Sequence, residues 1–157
     1  MFACRAATIL RVNENAPHRP TFAGVHFWVS EMAASLAFYR AIGFEIPDGA
    51  EASVFARVEV TEGVVFEFGT HSLTTGYHAG FVPFAGRGAN CLQFVLQSRQ
   101  AVDALHAKLS SEGYASHLAP IDAFWGARYA EVLDPDGNTV GFHSPQDPAR
   151  KARPPIV

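Results

Sequence analysis

Several segments of the chain alternate between apolar and polar residues, and some of the polar positions are occupied by ionisable side chains. His26, Glu67 and His143 each occupy such a position. Successive side chains of a β-strand point to opposite faces of the sheet. The aliphatic residues are therefore expected to face the helices, and these three ionisable residues are expected on the opposite face. A sheet face with polar groups and no covering helix is typical of a cleft, although it is also found on antiparallel sheets that simply face water.

These polar residues permit more than one kind of chemistry. His26, Glu67 and His143 could form a metal site, or the two histidines could serve as hydrogen-bonding walls of a pocket. Glu67 and Glu131 could act as a carboxylate pair in acid/base catalysis. They could equally bind a cationic or hydroxyl-bearing ligand, or form an ion pair with Arg57.

Aromatic residues accompany the polar ones along the same segments. Trp28, Phe55 and Tyr129 would suit a flat or apolar ligand by stacking, or could simply fill the concavity of a sheet. Gln93 offers both a donor and an acceptor. Large aromatic side chains are uncommon on a fully wet face, so Trp28 and Tyr129 favour a cleft.

An internal repeat supplies the elements that would position these side chains. A strand-like run ends at Ser30 and another at Ser98; each is followed by a helical pattern that stops at a glycine, Gly43 or Gly113. Serine can accept the unpaired N–H groups at a helix start, and glycine can adopt the left-handed conformation at its end. Apolar residues recur at helical spacing, namely Met32, Leu36 and Tyr39 in the first unit and Val102, Leu105 and Leu109 in the second.

Further strands are expected after each helix. They are Val54–Val60 and Val64–Phe68 in the first unit, and Tyr129–Leu133 and Thr139–His143 in the second. Asp134-Pro135-Asp136-Gly137-Asn138 predicts a tight hairpin between the last two, because proline presets the turn and glycine supplies a positive φ. His71–Ala89 is interpreted as a connection that carries a partly ordered flap.

Length and composition indicate one globular domain. The chain has 157 residues, of which 48% are hydrophobic and 17% charged, with a net charge of −3. The sequence has no run of basic residues, so nucleic-acid binding is not expected. It also has no apolar stretch of the length that a membrane span needs. The two cysteines form no framework, which favours a reducing, cytoplasmic setting. We expect a leader at 1–20 with a short strand at Ala7–Val12, a domain at 21–145 with halves of about 21–70 and 90–145, and a tail at 146–157.

Several motifs resemble those of the vicinal-oxygen-chelate superfamily, which includes glyoxalases, bleomycin-resistance proteins and extradiol dioxygenases. The motifs are Val29-Ser30-Glu31-Met32, Ser35-Leu36-Ala37-Phe38-Tyr39-Arg40, Gly43-Phe44, Phe124-Trp125-Gly126-Ala127-Arg128-Tyr129 and Asp134-Pro135-Asp136-Gly137-Asn138. The resemblance covers roughly residues 22 to 145. It implies an α+β fold of two βαβββ modules that form a cupped mixed sheet around a ligand cavity.

Enzymes of this superfamily usually hold a divalent metal on four side chains, one from each of four strands. The resemblance places these positions on Gly24, Glu67, Cys91 and Gly141. Glycine has no side chain to coordinate an ion, and one carboxylate cannot hold a transition metal usefully. We therefore expect the usual metal site to be lost.

The sequence as a whole predicts a cytoplasmic protein that sequesters a small aromatic or drug-like molecule, similar to the antibiotic-binding members, without a metal or other cofactor and without catalysis. The candidate ligand-binding residues are His26, Trp28, Phe55, Arg57, Glu67, Gln93, Tyr129, Glu131 and His143. The alternative is a lyase, isomerase or dioxygenase that uses Glu67 as a base or a relocated metal on His26, Glu67 and His143. The resemblance also implies a homodimer, and no nucleic-acid or membrane partner is expected.

Overall fold

The computed structural model describes residues 22–83 and 90–153. The leader at 1–20 and the strand expected at Ala7–Val12 lie outside these residues. Within them, two modules follow one another along the chain. No helix of the described ranges is both long and apolar enough to cross a membrane.

The first module forms a three-stranded mixed sheet in the order β1-β3-β2, with β1 parallel to β3 and β2 antiparallel to it. Its elements are β1 (Val25–Val29), α1 (Met32–Ala41), β2 (Phe55–Thr61), β3 (Val64–Thr70) and α2 (His71–Tyr77). The second module forms a four-stranded mixed sheet in the order β4-β7-β6-β5. Its elements are β4 (Cys91–Val95), α3 (Arg99–Ser111), β5 (Ser116–Asp122), β6 (Arg128–Leu133) and β7 (Thr139–His143).

The α+β class and the two-module organisation confirm the prediction from the sequence. The second module has the full βαβββ order. The βαβββ order that the resemblance implies has three strands after the first helix, whereas in the described part of the first module a short 3-10 helix at Ala50–Ala52 and then β2 and β3 follow α1. Among residues 22–83 and 90–153, the two sheets are hydrogen-bonded separately rather than as one continuous sheet, so β1 and β4 each have one edge that pairs with no strand of these residues.

One hydrophobic core joins the two modules. Phe27, Phe66 and Phe68 from the first sheet belong to the same buried cluster as Val140 and Phe142 from the second. The alternation predicted for β1 holds, since Phe27 and Val29 are buried whereas His26 is only half-buried and Trp28 is exposed. Burial of these aliphatic and aromatic faces is the main force that holds the modules together.

The two long helices begin in different ways. Ser98 accepts a hydrogen bond from the backbone N–H of Ala101, as predicted for a serine cap of α3. The prediction for Ser30 is wrong, because α1 starts after Glu31 and its first residue has no side-chain cap. The Ser30 hydroxyl instead donates to Asp136 in the second module. Gly43 and Gly113 follow their helices with positive φ, as expected.

Two further elements differ from the expectations. The segment interpreted as a connection begins with α2, where the Thr70 hydroxyl accepts from the N–H of Leu73 and so caps the helix. β5 was not predicted, because Pro120 interrupts its pattern. Proline is tolerated in an edge strand, and β5 forms the edge of its sheet with an irregular register against β6.

Candidate functional site

A cavity of the described residues lies between β1 of the first module and the start of β4 and the hairpin of the second. Its volume is about 460 Å³. The wall from the first module consists of Val25, His26, Phe27, Trp28 and His71. The wall from the second module consists of Asn90, Leu92, Asp136, Asn138 and Thr139. We call this space the seam cavity; its size suits a small organic molecule.

Trp28 is the most exposed aromatic residue of the first wall, with 51% of its surface accessible. Its ring lies 5.7 Å from that of Phe81 and 5.9 Å from the imidazole of His26. The carbonyl oxygen of Trp28 is 3.3 Å from Nε2 of His71. A carbonyl can only accept a hydrogen bond, so His71 donates from Nε2 to the open edge of β1.

His26 is fixed by its neighbours in the first sheet. Its Nδ1 atom lies 3.5 Å from Oε2 of Glu67. Its Nε2 atom is buried and has no hydrogen-bond partner within the described residues. A side-chain carbon on Gly69 would stand 2.8 Å from that nitrogen, so the glycine makes room for the imidazole. An N–H at Nε2 would be unsatisfied, which favours the tautomer with its proton on Nδ1.

Glu67 has a second neighbour on the same sheet. Nη1 of Arg57 lies 3.6 Å from Oε1 of Glu67, and 62% of the arginine side chain is exposed. Both contacts of Glu67 are longer than a good hydrogen bond. His26, Glu67 and Arg57 therefore form a loosely held cross-strand row, with Phe55 6.1 Å from the imidazole.

The hairpin between β6 and β7 shapes the second wall. One oxygen of Asp136 accepts from the N–H of Ser30 at 2.8 Å and from its hydroxyl at 2.7 Å. The other oxygen accepts from the Ser35 hydroxyl at 2.8 Å. The amide nitrogen of Asn138 donates to Asp134 at 2.8 Å. The turn sequence predicted from Pro135 and Gly137 thus also ties the two modules together.

A tighter polar group lies on the second sheet. The Tyr129 hydroxyl donates to Oε1 of Glu131 at 2.6 Å, and Nδ1 of His117 lies 3.1 Å from Oε2. Burial, and then the hydrogen bond to Glu131, raise the pKa of Tyr129 well above its ordinary value. Burial likewise raises the pKa of the Cys91 thiol, whose sulfur is 3.8 Å from the Tyr129 hydroxyl. Both groups are therefore protonated at neutral pH.

The positions that hold a metal in the enzymes do not fit one here. A side-chain carbon on Gly24 would stand 2.5 Å from the carbonyl oxygen of Val65, so this position has no room for a ligand. A side-chain carbon on Gly141 would stand 2.8 Å from the Tyr129 hydroxyl and 3.1 Å from the Cys91 sulfur. No group of three or more His, Cys, Asp or Glu side chains within 22–83 and 90–153 could hold a metal ion. His26, Glu67 and His143 are thus not gathered into a site within one chain.

The structure distributes the nine candidate ligand-binding residues over several places. His26 and Trp28 line the seam cavity, and Phe55, Arg57 and Glu67 adjoin His26 on the first sheet. Tyr129 and Glu131 form the group on the second sheet; Gln93 pairs with Gly141 and His143 with Tyr129 along the strands. Glu67 and Glu131 belong to different sheets, each with its own partners, and are not brought together as a pair.

Several residues of the cavity escaped prediction. Asn138 and Asp136 were interpreted only as turn residues, and His71 as part of a connection that could close over the cleft or simply hold the connection in place. The signal that Asn138 and Asp136 share is the hairpin motif, whose carboxylates and amide exceed what a turn alone requires. Asn90 and Thr139 carried no sequence signal, because their role depends on how the two modules meet.

Comparison with known proteins supplies a family match. Residues 18–142 match the family described as "Glyoxalase/Bleomycin resistance protein/Dioxygenase superfamily". No curated protein matches the chain significantly.

Several solved structures share the fold. An enzyme described under the same family name from Burkholderia phytofirmans PsJN has 22% identity and a TM-score of 0.67, with 78% of this chain and 96% of that chain covered. A glyoxalase-related enzyme from Fulvimarina pelagi has 17% identity and a TM-score of 0.67, with coverages of 79% and 87%. Lactoylglutathione lyase from Agrobacterium tumefaciens has 16% identity and a TM-score of 0.57, with coverages of 80% and 93%.

Proposed function

The chain belongs to the glyoxalase/bleomycin resistance protein/dioxygenase superfamily, and from that premise we propose that it binds a small aromatic molecule in the seam cavity and sequesters it without a metal ion. The observation that carries this proposal is the cavity itself, about 460 Å³ with Trp28 and His26 on one wall. Binding pockets for small ligands commonly have this volume and combine apolar walls with a few polar groups.

The chemistry of the family's ligand positions supports binding rather than Lewis-acid catalysis. Two of the four positions carry Gly24 and Gly141, which have no side chain to bind an ion, and Cys91, at the third, takes the space beside Gly141 together with Tyr129. Glu67, at the fourth, is shared between His26 and Arg57. Affinity would come from burying a ring against Trp28 and excluding water, with no bond made or broken.

Calorimetric titration of protein stripped of metal by a chelator tests this proposal. We expect at least one compound of an aromatic panel to bind with a stoichiometry of one per chain and to be recovered unchanged. Trp28→Leu should weaken that binding about tenfold, because it removes the exposed aromatic wall. Tyr77→Leu is the matched control, since Tyr77 is 67% exposed and does not line the cavity. Turnover of the bound compound, or equal losses in both variants, would contradict the proposal.

A catalytic function is the second candidate. A solved lactoylglutathione lyase shares the fold, and Glu67 keeps a carboxylate at a family ligand position with His26 beside it. A lyase or isomerase with Glu67 as base would lose turnover in Glu67→Gln while keeping its affinity for substrate. Stoichiometric transition metal in the purified protein would favour a relocated metal site instead.

We also propose that the chain forms a homodimer in a cytoplasmic setting. Phe55 remains 39% exposed on the first sheet and does not line the seam cavity, so a second copy could cover it. Sedimentation measurements on the purified chain test the assembly, and a monomer at all concentrations would contradict it.

A further inference from the structure

The two walls of the seam cavity differ in chemistry. The wall from the first module presents aromatic and imidazole rings, namely Trp28, His26 and His71. The wall from the second module presents amide and hydroxyl groups, namely Asn90, Asn138 and Thr139. A ligand that fills the space therefore meets ring faces on one side and hydrogen-bonding groups on the other.

The ionisable groups that line the cavity are either engaged by the protein or, at Nε2 of His26, too deeply buried to reach a ligand. Asp136 accepts three hydrogen bonds from Ser30 and Ser35. His71 donates to the carbonyl of Trp28. His26 directs Nδ1 to Glu67, while its Nε2 is packed over Gly69. A charged ligand would lose its hydration without gaining an unengaged partner of opposite charge, which is costly. The cavity therefore favours an uncharged guest.

Three polar groups of the second wall are left for a ligand. Asn138 must present its amide nitrogen to Asp134, because a carboxylate only accepts, so its carbonyl oxygen is directed elsewhere. Asn90 is exposed, and its amide and the Thr139 hydroxyl belong to residues that line the cavity. Thr139 is only 6% exposed, so an unpaired ligand group beside it would have little access to water. Together these groups offer both donors and acceptors.

We propose that the seam cavity recognises an uncharged planar heteroaromatic molecule with an amide-like edge, in which an N–H and a C=O lie side by side on the ring. The ring would stack on Trp28, and the edge would bond to Asn90, Asn138 and Thr139. This proposal rests on the proposed binding function and specifies the class of ligand.

Four bicyclic probes of similar size separate the requirements. 2-Quinolinone is uncharged and has the amide edge, whereas quinoline lacks that edge. 2-Naphthoate carries a negative charge, and 2-naphthylmethylamine carries a positive charge at pH 7. We expect 2-quinolinone to bind at least about tenfold more tightly than each of the other three in calorimetric titrations.

Thr139→Val tests the polar wall, because valine keeps the shape and strand preference of threonine but removes its hydroxyl. It should weaken 2-quinolinone about fivefold or more and leave quinoline unchanged. Thr61→Val, on a strand outside the cavity, is the matched control and should change neither.

The outcomes distinguish the two proposals. Preferred binding of the naphthoate or the amine, or equal binding of quinoline and 2-quinolinone, would overturn the inferred ligand class and leave the binding function intact. Failure of all four probes to bind would count against the binding function, and the inferred class would fall with it.

Discussion

The two sheets carry polar rows of different strength at corresponding places. In the first sheet, Glu67 lies 3.5 Å from His26 and 3.6 Å from Arg57, and its row borders the exposed ring of Trp28. In the second sheet, Glu131 accepts from Tyr129 at 2.6 Å, and its row is half-buried. The first module thus has loosely held polar groups beside the cavity, whereas the polar groups of the second module bind one another.

The helices show the same asymmetry. α3 begins at its own serine, Ser98, whose side chain accepts from the backbone N–H of Ala101. α1 has no cap of its own, and Asp136 from the second module holds Ser30 and Ser35 at its start. The start of α1 is therefore held by the second module, and the hairpin that holds it also forms a cavity wall.

The largest effect is expected from a substitution that removes the contact between α1 and the hairpin. Asp136→Ala removes three hydrogen bonds to a charged acceptor and should lower the free energy of unfolding by about 3 kcal/mol, measured by urea denaturation. Asp147→Ala is the control, because the Asp147 side chain bonds only within the short helix Pro148–Arg150, to the N–H of Ala149 and to Arg150, among the described residues, and it should cost about 1 kcal/mol or less. Equal small losses in both variants would show that α1 does not depend on the hairpin.

A medium effect is expected where Tyr129 fills the space beside Gly141. Gly141→Ala should destabilise by about 2 kcal/mol, since the new methyl meets the tyrosine hydroxyl at 2.8 Å. In a Tyr129→Phe background the cost should fall by at least about 0.5 kcal/mol, because that oxygen is gone. Gly76→Ala is the control; its methyl meets nothing within 4 Å, and it should be neutral or stabilising. Strict additivity of the two substitutions would contradict the close contact.

The smallest effect concerns alkaline pH. The pKa of Tyr129 is raised in the folded chain, so between about pH 10 and the folded pKa only the unfolded chain releases this proton. Stability present below pH 10 is then lost as the pH rises, by at most about 1.4 kcal/mol per pH unit for this group. Urea denaturation from pH 9 to 11 should show a shallower decline for Tyr129→Phe than for the unaltered chain. Parallel declines would place the ionisation of Tyr129 at its ordinary pKa.

Local patterns were enough to predict much of the fold. The alternation around Phe27 and Val29, the cap at Ser98 and the hairpin at Pro135-Asp136-Gly137 depend on neighbouring residues, and they are found as expected. The partner of Ser30 lies 106 residues away, and no local pattern distinguishes a serine that caps its own helix from one that donates to a distant carboxylate.

The site was predictable only in part for the same reason. His26 and Trp28 were found because strand alternation fixes their face. Asn90, Asn138 and Thr139 line the cavity because residues of both modules come together around it, which the sequence of neither module specifies. The loss of ligand positions at Gly24 and Gly141 was visible from residue types, but the filling of the second by Tyr129 required the fold.

The most direct measurement is a crystal structure of the protein grown with 2-quinolinone. We expect the bicyclic ring to lie against Trp28, with its amide edge turned to Thr139 and Asn138 between β1 and β4. Density for the compound over Glu67 on the open sheet face, or a cation bound by Glu67 or His26 in the purified protein, would contradict a metal-free binding site in the seam.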